Sequence, residues 1–430
     1  MKQIPLSASF PKPDWFRLVC LALLLGAAAA SAQDVMRGVP PARDSQVTFN
    51  NYRERPFSQW AFRNAGAPMN VVMIPREGEI HEFERGTIEG WDSAAFDRVF
   101  TDNCADGVVV IRGNEILHER YFHDFGEHDQ HIWFSMTKSL VSTAFGLLLA
   151  SGDIDLQESP ADHIPELGKS GFARANVQQV LDHATAIDFK ENYTDQKSDF
   201  FRYYAPALNM AWLPGAADVQ PGDSEIYGVH DFLVNFIKPD KSLKPGDAFD
   251  YNSSNADVLG WMSARVGGMP LQEYLQKYIW SKLGAEHDAY IIVDRAFMPV
   301  ATGGMNSTLR DAAKFGMMVR DRGRFNGEQV IPAIWIDQTV RLNRSHINNM
   351  RRNAKYSRDP WLAYHNMWWV LNPRGGEYAA VGIHGQVIYI NQSANTVMAW
   401  FSSQPTASAA NNPTFHAKLK AARALAQSLK

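Results

Sequence analysis

Ser135 and Lys138 stand three residues apart in the tetrad Ser135-Met136-Thr137-Lys138, and on a helix that spacing sets their side chains next to each other. A serine hydroxyl is a weak nucleophile until a neighbouring base takes its proton. A lysine desolvated beside it would lose its own proton near neutral pH and could act as that base. The start of a helix also favours the negative charge that builds when an acyl group is attacked. The pattern is short, and Ser9-Phe10-Pro11-Lys12 repeats it near the N-terminus. The surrounding elements therefore decide which copy carries chemistry.

Around Ser135 those elements are well marked. From Ser135 to Ser151, Leu140, Ala144, Leu147 and Leu148 recur at helical spacing, and Gly152 follows as a C-terminal cap. Just upstream, Gly107 to Arg112, the Gly113-Asn114 turn and Glu115 to Phe122 read as a β-hairpin. From about 152 to 300, helical fragments broken by Pro and Gly (Val177 to His183, His230 to Ile237, Asn255 to Val266) predict a helical insertion. A capping-box-like start at Thr308-Leu309-Arg310-Asp311 opens a helix through Arg320. Met367 to Leu371, Tyr378 to Ile383, Gln386 to Ile390 and Thr396 to Phe401 read as short strands, and Pro413 to Leu429 as a final helix. The expected fold class is α/β of the α+β type: one antiparallel sheet built from both ends of the chain, flanked by helices, with a mainly helical domain inserted.

With 45% hydrophobic and 20% charged residues in a chain of 430, a substantial globular core is expected. The net charge of -4 and the absence of a basic stripe argue against nucleic acid as a partner. Leu18 to Ala30 forms an apolar run behind Lys2, Lys12 and Arg17, and Ala30-Ser31-Ala32 precedes Gln33. That is the pattern of a secretory signal peptide over 1–32, which places the mature protein in the periplasm or outside the cell with no membrane span. Of the 2 cysteines only Cys104 would then remain, so an intramolecular disulfide is not expected. Residues 33–68 are polar and read as an irregular arm, and 69–430 as one catalytic domain. His118, His123, His128 and His131 lack the spacing of a zincin helix, and no phosphate-binding loop or Gly-x-Ser-x-Gly elbow is present. No metal or other cofactor is expected, only a small-molecule amide or ester as substrate.

Three ordered motifs, Ser135-x-x-Lys138, Tyr251-Asn252-Ser253 and Gly382-Ile383-His384-Gly385-Gln386, resemble the serine beta-lactamase and penicillin-recognising superfamily, class C branch. Leu181 to Thr185 and Gly303 to Thr308 are also similar to its landmarks, so the resemblance covers roughly residues 95 to 425. Within the superfamily, Trp133 to Ser139, Glu191-Asn192-Tyr193-Thr194-Asp195 and Gly382 to Gln386 look most similar to 6-aminohexanoate-dimer hydrolases, which cleave a linear amide.

The resemblance implies a beta-lactamase/transpeptidase-like fold and an acyl-enzyme on Ser135, with Lys138 and Tyr251 sharing the proton transfer. Which of these two takes the serine's proton stays open. The oxyanion donors would be the backbone N–H of Ser135 and that of Ile383, if Gly382 matches the family's Lys-Thr-Gly strand. A second register puts His384 at the family's lysine and moves the donor to Val387. Tyr193 matches a tyrosine that contacts the scissile amide. An acid to hold the substrate's free amine is sought near Asp195 and Asp199.

The departures narrow the substrate. In the preferred register Ala380-Val381 replaces the Lys-Thr pair that binds the beta-lactam carboxylate, and Ser253 replaces the asparagine of Tyr-x-Asn, with Asn255 nearby. An amidase or esterase therefore fits better than a beta-lactamase. The alternative is a penicillin-binding or beta-lactamase-type protein that acylates slowly or only binds at the cell wall.

Overall fold

The computed structural model describes residues 34–430 apart from 49, 196, 210–225 and 357. The signal peptide expected over 1–32 lies outside the described residues. No helix among them is long and apolar enough to cross a membrane.

Eight strands form the main sheet: β1 (Glu84–Arg85), β2 (Ala105–Arg112), β3 (Glu115–Tyr121), β4 (Ala363–His365), β5 (Trp368–Asn372), β6 (Glu377–Gly382), β7 (Gln386–Asn391) and β8 (Thr396–Ser402). Their spatial order is β4-β5-β6-β7-β8-β2-β3-β1, and only the short β1 runs parallel to its neighbour. The two ends of the chain meet where β8 pairs with β2, with Met398 opposite Val110 and Ala399 opposite Val109. The sheet expected from both ends of the chain is thus present; β2, β3 and β5 to β8 lie within a residue or two of their predicted places, while the short edge strands β1 and β4 were not expected.

Why these strands are apolar on both sides follows from what covers them. In β8 every residue is buried. Trp400 meets Phe100 of helix α1 (Ser93–Asp102) edge to face at 5.6 Å. Three residues earlier, and hence on the opposite face, Val397 packs under Gly316, where an added Cβ would come within 2.8 Å of it. With helices on both faces, the strands read as continuous apolar runs rather than as an alternation.

Helix α2 spans Met136–Ser151 and ends at Gly152, whose φ of 79° is the left-handed conformation that a C-cap glycine supplies. Twelve of its residues are buried, among them the polar Thr137, Lys138, Ser139, Ser142 and Thr143. The hydroxyls of Ser139 and Ser142 are satisfied by the carbonyls of Met367 and Asn366. Helix α3 (Ser254–Gly267) packs on α2, and α4 (Leu309–Arg320) starts at Thr308, whose side chain caps Asp311 N. The last helix, α5, covers Pro413–Ser428.

Two features depart from the expectation. A second sheet of four short strands, in the order Val71–Ile74, Ala289–Ile292, Met305–Ser307, His131–Ile132, stands beside the first. Ala289–Ile292 falls inside the stretch expected to be helical; its partner Val71–Ile74 lies so far away in sequence that no local pattern could announce the pairing. Nor are residues 34–68 irregular throughout. They carry a short helix, Phe57–Arg63, whose Phe62 is 1% exposed and belongs to the core.

Candidate active site

The small sheet delivers Ser135. Its edge strand His131–Ile132 pairs with Met305–Ser307, and the next residue, Trp133, donates its N–H to Met305 O (2.8 Å) and its indole N–H to Ser307 Oγ (2.9 Å). Phe134 then turns the chain with a φ of 46°, a region costly for a bulky side chain. The Phe62 ring, 5.0 Å away, and the His384 ring, 5.6 Å away, hold Phe134 there. Ser135 follows as the N-cap of α2, so its side chain faces the cleft at the positive end of the helix.

One turn on, Lys138 is 1% exposed. Its Nζ donates to Ser135 Oγ (2.8 Å) and to Thr302 O (2.8 Å), and no carboxylate among the described residues pairs with it. Burial pushes its pKa below the ordinary lysine value, opposed by the charges of Glu191 and Asp257. Asp257, on α3, is itself buried. It accepts Tyr204 OH at 2.5 Å and Thr302 N at 3.1 Å, and burial raises its pKa. The Thr302 peptide thus connects the two buried groups.

Tyr251 completes the arrangement. Its ring centroid lies 5.3 Å from Lys138 Nζ. Burial drives the Tyr251 pKa above its usual value, against the smaller lowering effect of the Ser135 side chain on its hydroxyl, so the group sits here as a neutral phenol. The ring stacks on Trp369 at 5.5 Å, and neutral His183, whose Nδ1 accepts Asn252 N–H, packs at 4.9 Å.

Across the cleft β6 ends at Gly382. A Cβ there would lie 2.2 Å from Trp133 O, so only glycine lets the strand approach the turn before Ser135 this closely. The next residue, Ile383, lines the cleft together with Ser135. Among the described residues no acceptor takes the backbone N–H of Ser135 or Ile383. Two free amide donors from opposite walls of one cleft are what an oxyanion requires.

The other sequence-predicted residues sort as follows. Ser253 lines the cleft beside Ser135, and Tyr193 lines both its lobes. His384 does not face the cleft: its ring is buried, with Nδ1 2.7 Å from Gln404 O. Val387, the donor of the second register, is buried in β7 opposite Trp400. Asn255 is fully buried, its amide nitrogen donating to Asn252 O, and does not line the cleft. Of the Lys-Thr positions, Ala380 is fully buried and Val381 presents a methyl surface to the second lobe.

Asp195 and Asp199, where an acid was sought, are exposed and are not among the residues that line the cleft. The acid bonded to the cleft wall is Glu191, which accepts Ser253 N (2.5 Å), Ser253 Oγ (3.2 Å) and Tyr193 OH (2.5 Å). Arg53 also lines the cleft and comes from the N-terminal arm. Glu191 stands in a segment already singled out by resemblance, whereas no local signal marks Arg53.

The first lobe is walled by Phe134, Phe200, Leu208 and Ile383, and the second by Tyr356, Trp361 and Trp369. Among the described residues the group with metal-ligand spacing is Asp182, His346 and His365. Its donors are engaged with each other, His365 Nδ1 lying 2.6 Å from Asp182 Oδ1.

This fold, with a Ser-x-x-Lys pair at the head of a buried helix, defines the class. The chain belongs to the beta-lactamase family, whose model matches residues 96–422. Within it the chain is a hydrolase related to 6-aminohexanoate-dimer hydrolase: it is 30% identical to the Paenarthrobacter ureafaciens protein of that name over 371 residues, 85% of this chain and 90% of that one. A Bacillus anthracis structure described as a 6-aminohexanoate-dimer hydrolase superposes with a TM-score of 0.76 at 23% identity, covering 91% of this chain and 99% of that one. A D-stereospecific amidohydrolase from Streptomyces sp. gives a TM-score of 0.53 at 16% identity over 77% and 98% of the two chains. The last two likenesses concern the fold.

Proposed function

We propose that the protein is a serine hydrolase that cleaves amide or ester bonds through an acyl-enzyme on Ser135. The observation that carries this reading is the 2.8 Å contact between Lys138 Nζ and Ser135 Oγ, made by a lysine that is buried and unpaired with any described carboxylate. In its neutral form Lys138 accepts the Ser135 proton as Oγ attacks the carbonyl carbon. The N–H groups of Ser135 and Ile383 take the developing oxyanion. The proton then passes toward the leaving nitrogen or oxygen, with Tyr251 as the donor: its raised pKa suits a phenol that gives a proton rather than a phenolate that takes one. Water attacks the ester on Ser135 by the same route in reverse.

The apolar Val381 surface, with buried Ala380 beside it in place of a charge, supports linear amides or esters over beta-lactams, and the kinship to 6-aminohexanoate-dimer hydrolase supports an amide. The leader-like N-terminus supports export to the periplasm or medium, which fractionation of expressing cells tests. For the chemistry, Ser135→Ala and Lys138→Ala should bring hydrolysis of 4-nitrophenyl butyrate to background with unchanged melting curves. Undiminished turnover in Ser135→Ala refutes the assignment.

A further inference from the structure

Arg53 is the charged residue of the first lobe, and the acyl-transfer reading leaves its chemistry unused. The arm carries it into the first lobe, where it lies among Phe134, Phe200 and Leu208 beside Ser135. Arg310, Arg320 and Arg423 are neutralised by Glu119, Asp321 and Glu377, whereas half-buried Arg55 and Arg76 have no carboxylate partner among the described residues but do not line the cleft. Arg53 pairs with no carboxylate among the described residues. Its contacts are the Phe201 ring, 6.0 Å from the guanidinium carbon, and one hydrogen bond from Nε to His384 Nε2 at 3.2 Å.

That hydrogen bond aims the side chain. His384 Nδ1 is spent on Gln404 O (2.7 Å), so it carries the ring proton and leaves Nε2 as an acceptor for Arg53. The ring is 1% exposed and is kept neutral by burial and by Arg53 itself, with its pKa lowered to about 3. A neutral histidine therefore grips the inner nitrogen of the guanidinium. The two terminal nitrogens remain, a fork that matches the two oxygens of a carboxylate. With no carboxylate among the described residues paired to it, this half-buried cation in an apolar lobe is suited to take one from the ligand.

Resting on the Ser135 reading, we infer that Arg53 is a specificity residue that binds a carboxylate of the substrate, with His384 as its positioning residue. The substrate class is then a linear amide or ester whose aliphatic chain ends in a carboxylate, the chain lying along Phe134, Phe200 and Leu208.

The carboxylate can belong to the acyl part or to the leaving part, and two matched pairs of probes separate these sources. The acyl-side pair is mono-4-nitrophenyl adipate and its methyl ester; the leaving-side pair is N-butanoyl-6-aminohexanoate and its carboxamide. In the native protein one of the two free acids should exceed its neutral counterpart roughly 10- to 100-fold in kcat/KM, expressed in KM, as expected for a charge-assisted fork. Arg53→Gln should bring that ratio to about one, and Arg53→Lys should keep part of it. Should Arg53→Gln not fold, the ratio in Arg53→Lys decides.

No preference in either native pair overturns the inference, as does a preference that survives Arg53→Gln or is undiminished in Arg53→Lys. Labelling of Ser135 by a neutral fluorophosphonate in the same preparations keeps the two readings apart. A labelled Ser135 without carboxylate preference overturns the role of Arg53 alone, whereas an unlabelled Ser135 overturns the reading on which it rests.

Discussion

Replacing Gly382 by alanine tests the oxyanion site through a distance. The added Cβ would stand 2.2 Å from Trp133 O, and real Cβ atoms essentially never come closer than 3.0 Å, so strand and turn must part by about 0.8 Å. Ile383 moves with the strand and Ser135 with the turn, so the separation opens between the two amide donors. Such donors act at 2.7–3.1 Å from the oxyanion, and losing one costs about 10²- to 10³-fold in kcat, or about 2.7–4 kcal/mol of transition-state stabilisation. The expected result for 4-nitrophenyl butyrate is therefore a fall of that size in kcat with little change in KM. Gly303→Ala is the matched control. It also borders the Ser135 turn, but its Cβ would sit 3.4 Å from Phe134 C, an ordinary contact, so kcat should stay within about threefold of native. Melting curves on both variants separate displacement from unfolding. A folded Gly382→Ala protein whose kcat stays within about threefold of native refutes the assignment of Ile383.

Other expectations bear on the base, the substrate and the packing. Lys138 works as a neutral base, so kcat/KM should rise with pH through its pKa. The Glu191 charge raises that pKa, so Glu191→Gln should move the acid limb of the profile to lower pH, and a move to higher pH would contradict the electrostatics. Asp257→Asn removes the second such charge and should shift the limb in the same direction, by less. Nitrocefin turnover should lie roughly 100-fold or more below that of the butyrate ester, because Ala380 and Val381 offer its carboxylate neither charge nor hydroxyl; the reverse order would count against the amidase or esterase reading. In α2 a Cβ on Gly146 would fall 2.1 Å from Trp335 Cδ1, so Gly146→Ala should lose about 1–3 kcal/mol in denaturant unfolding, and an unchanged midpoint would show that the contact yields.

How far this site is legible in the sequence depends on how local each determinant is. The hairpin, α2 with its Gly152 cap, and strands β5 to β8 are carried by periodicity and turn residues within one segment, and they are found where those patterns place them. Ser135 and Lys138 share one helical turn, so their contact follows once the helix is granted. Glu191 and Arg53 had no such advantage. Glu191 is tied to the cleft wall by Ser253, far along the chain, which offers it two donors. Arg53 looks like any arginine of a polar arm until His384 from the opposite end of the chain is folded against it. The second sheet was hidden for the same reason, since its short strands come from widely separated places. The glycine at 382 was legible as part of a motif, but its physical reason, the closeness of Trp133 O, belongs to tertiary structure.

The central claim is a covalent bond between substrate and Ser135. The most direct measurement is acid quench of the protein during turnover of 4-nitrophenyl butyrate, followed by intact-mass and peptide mapping. A single butyryl group on the peptide containing Ser135, absent from Ser135→Ala, is the predicted result. An acyl group mapped to any other residue, or steady turnover by Ser135→Ala, would contradict it.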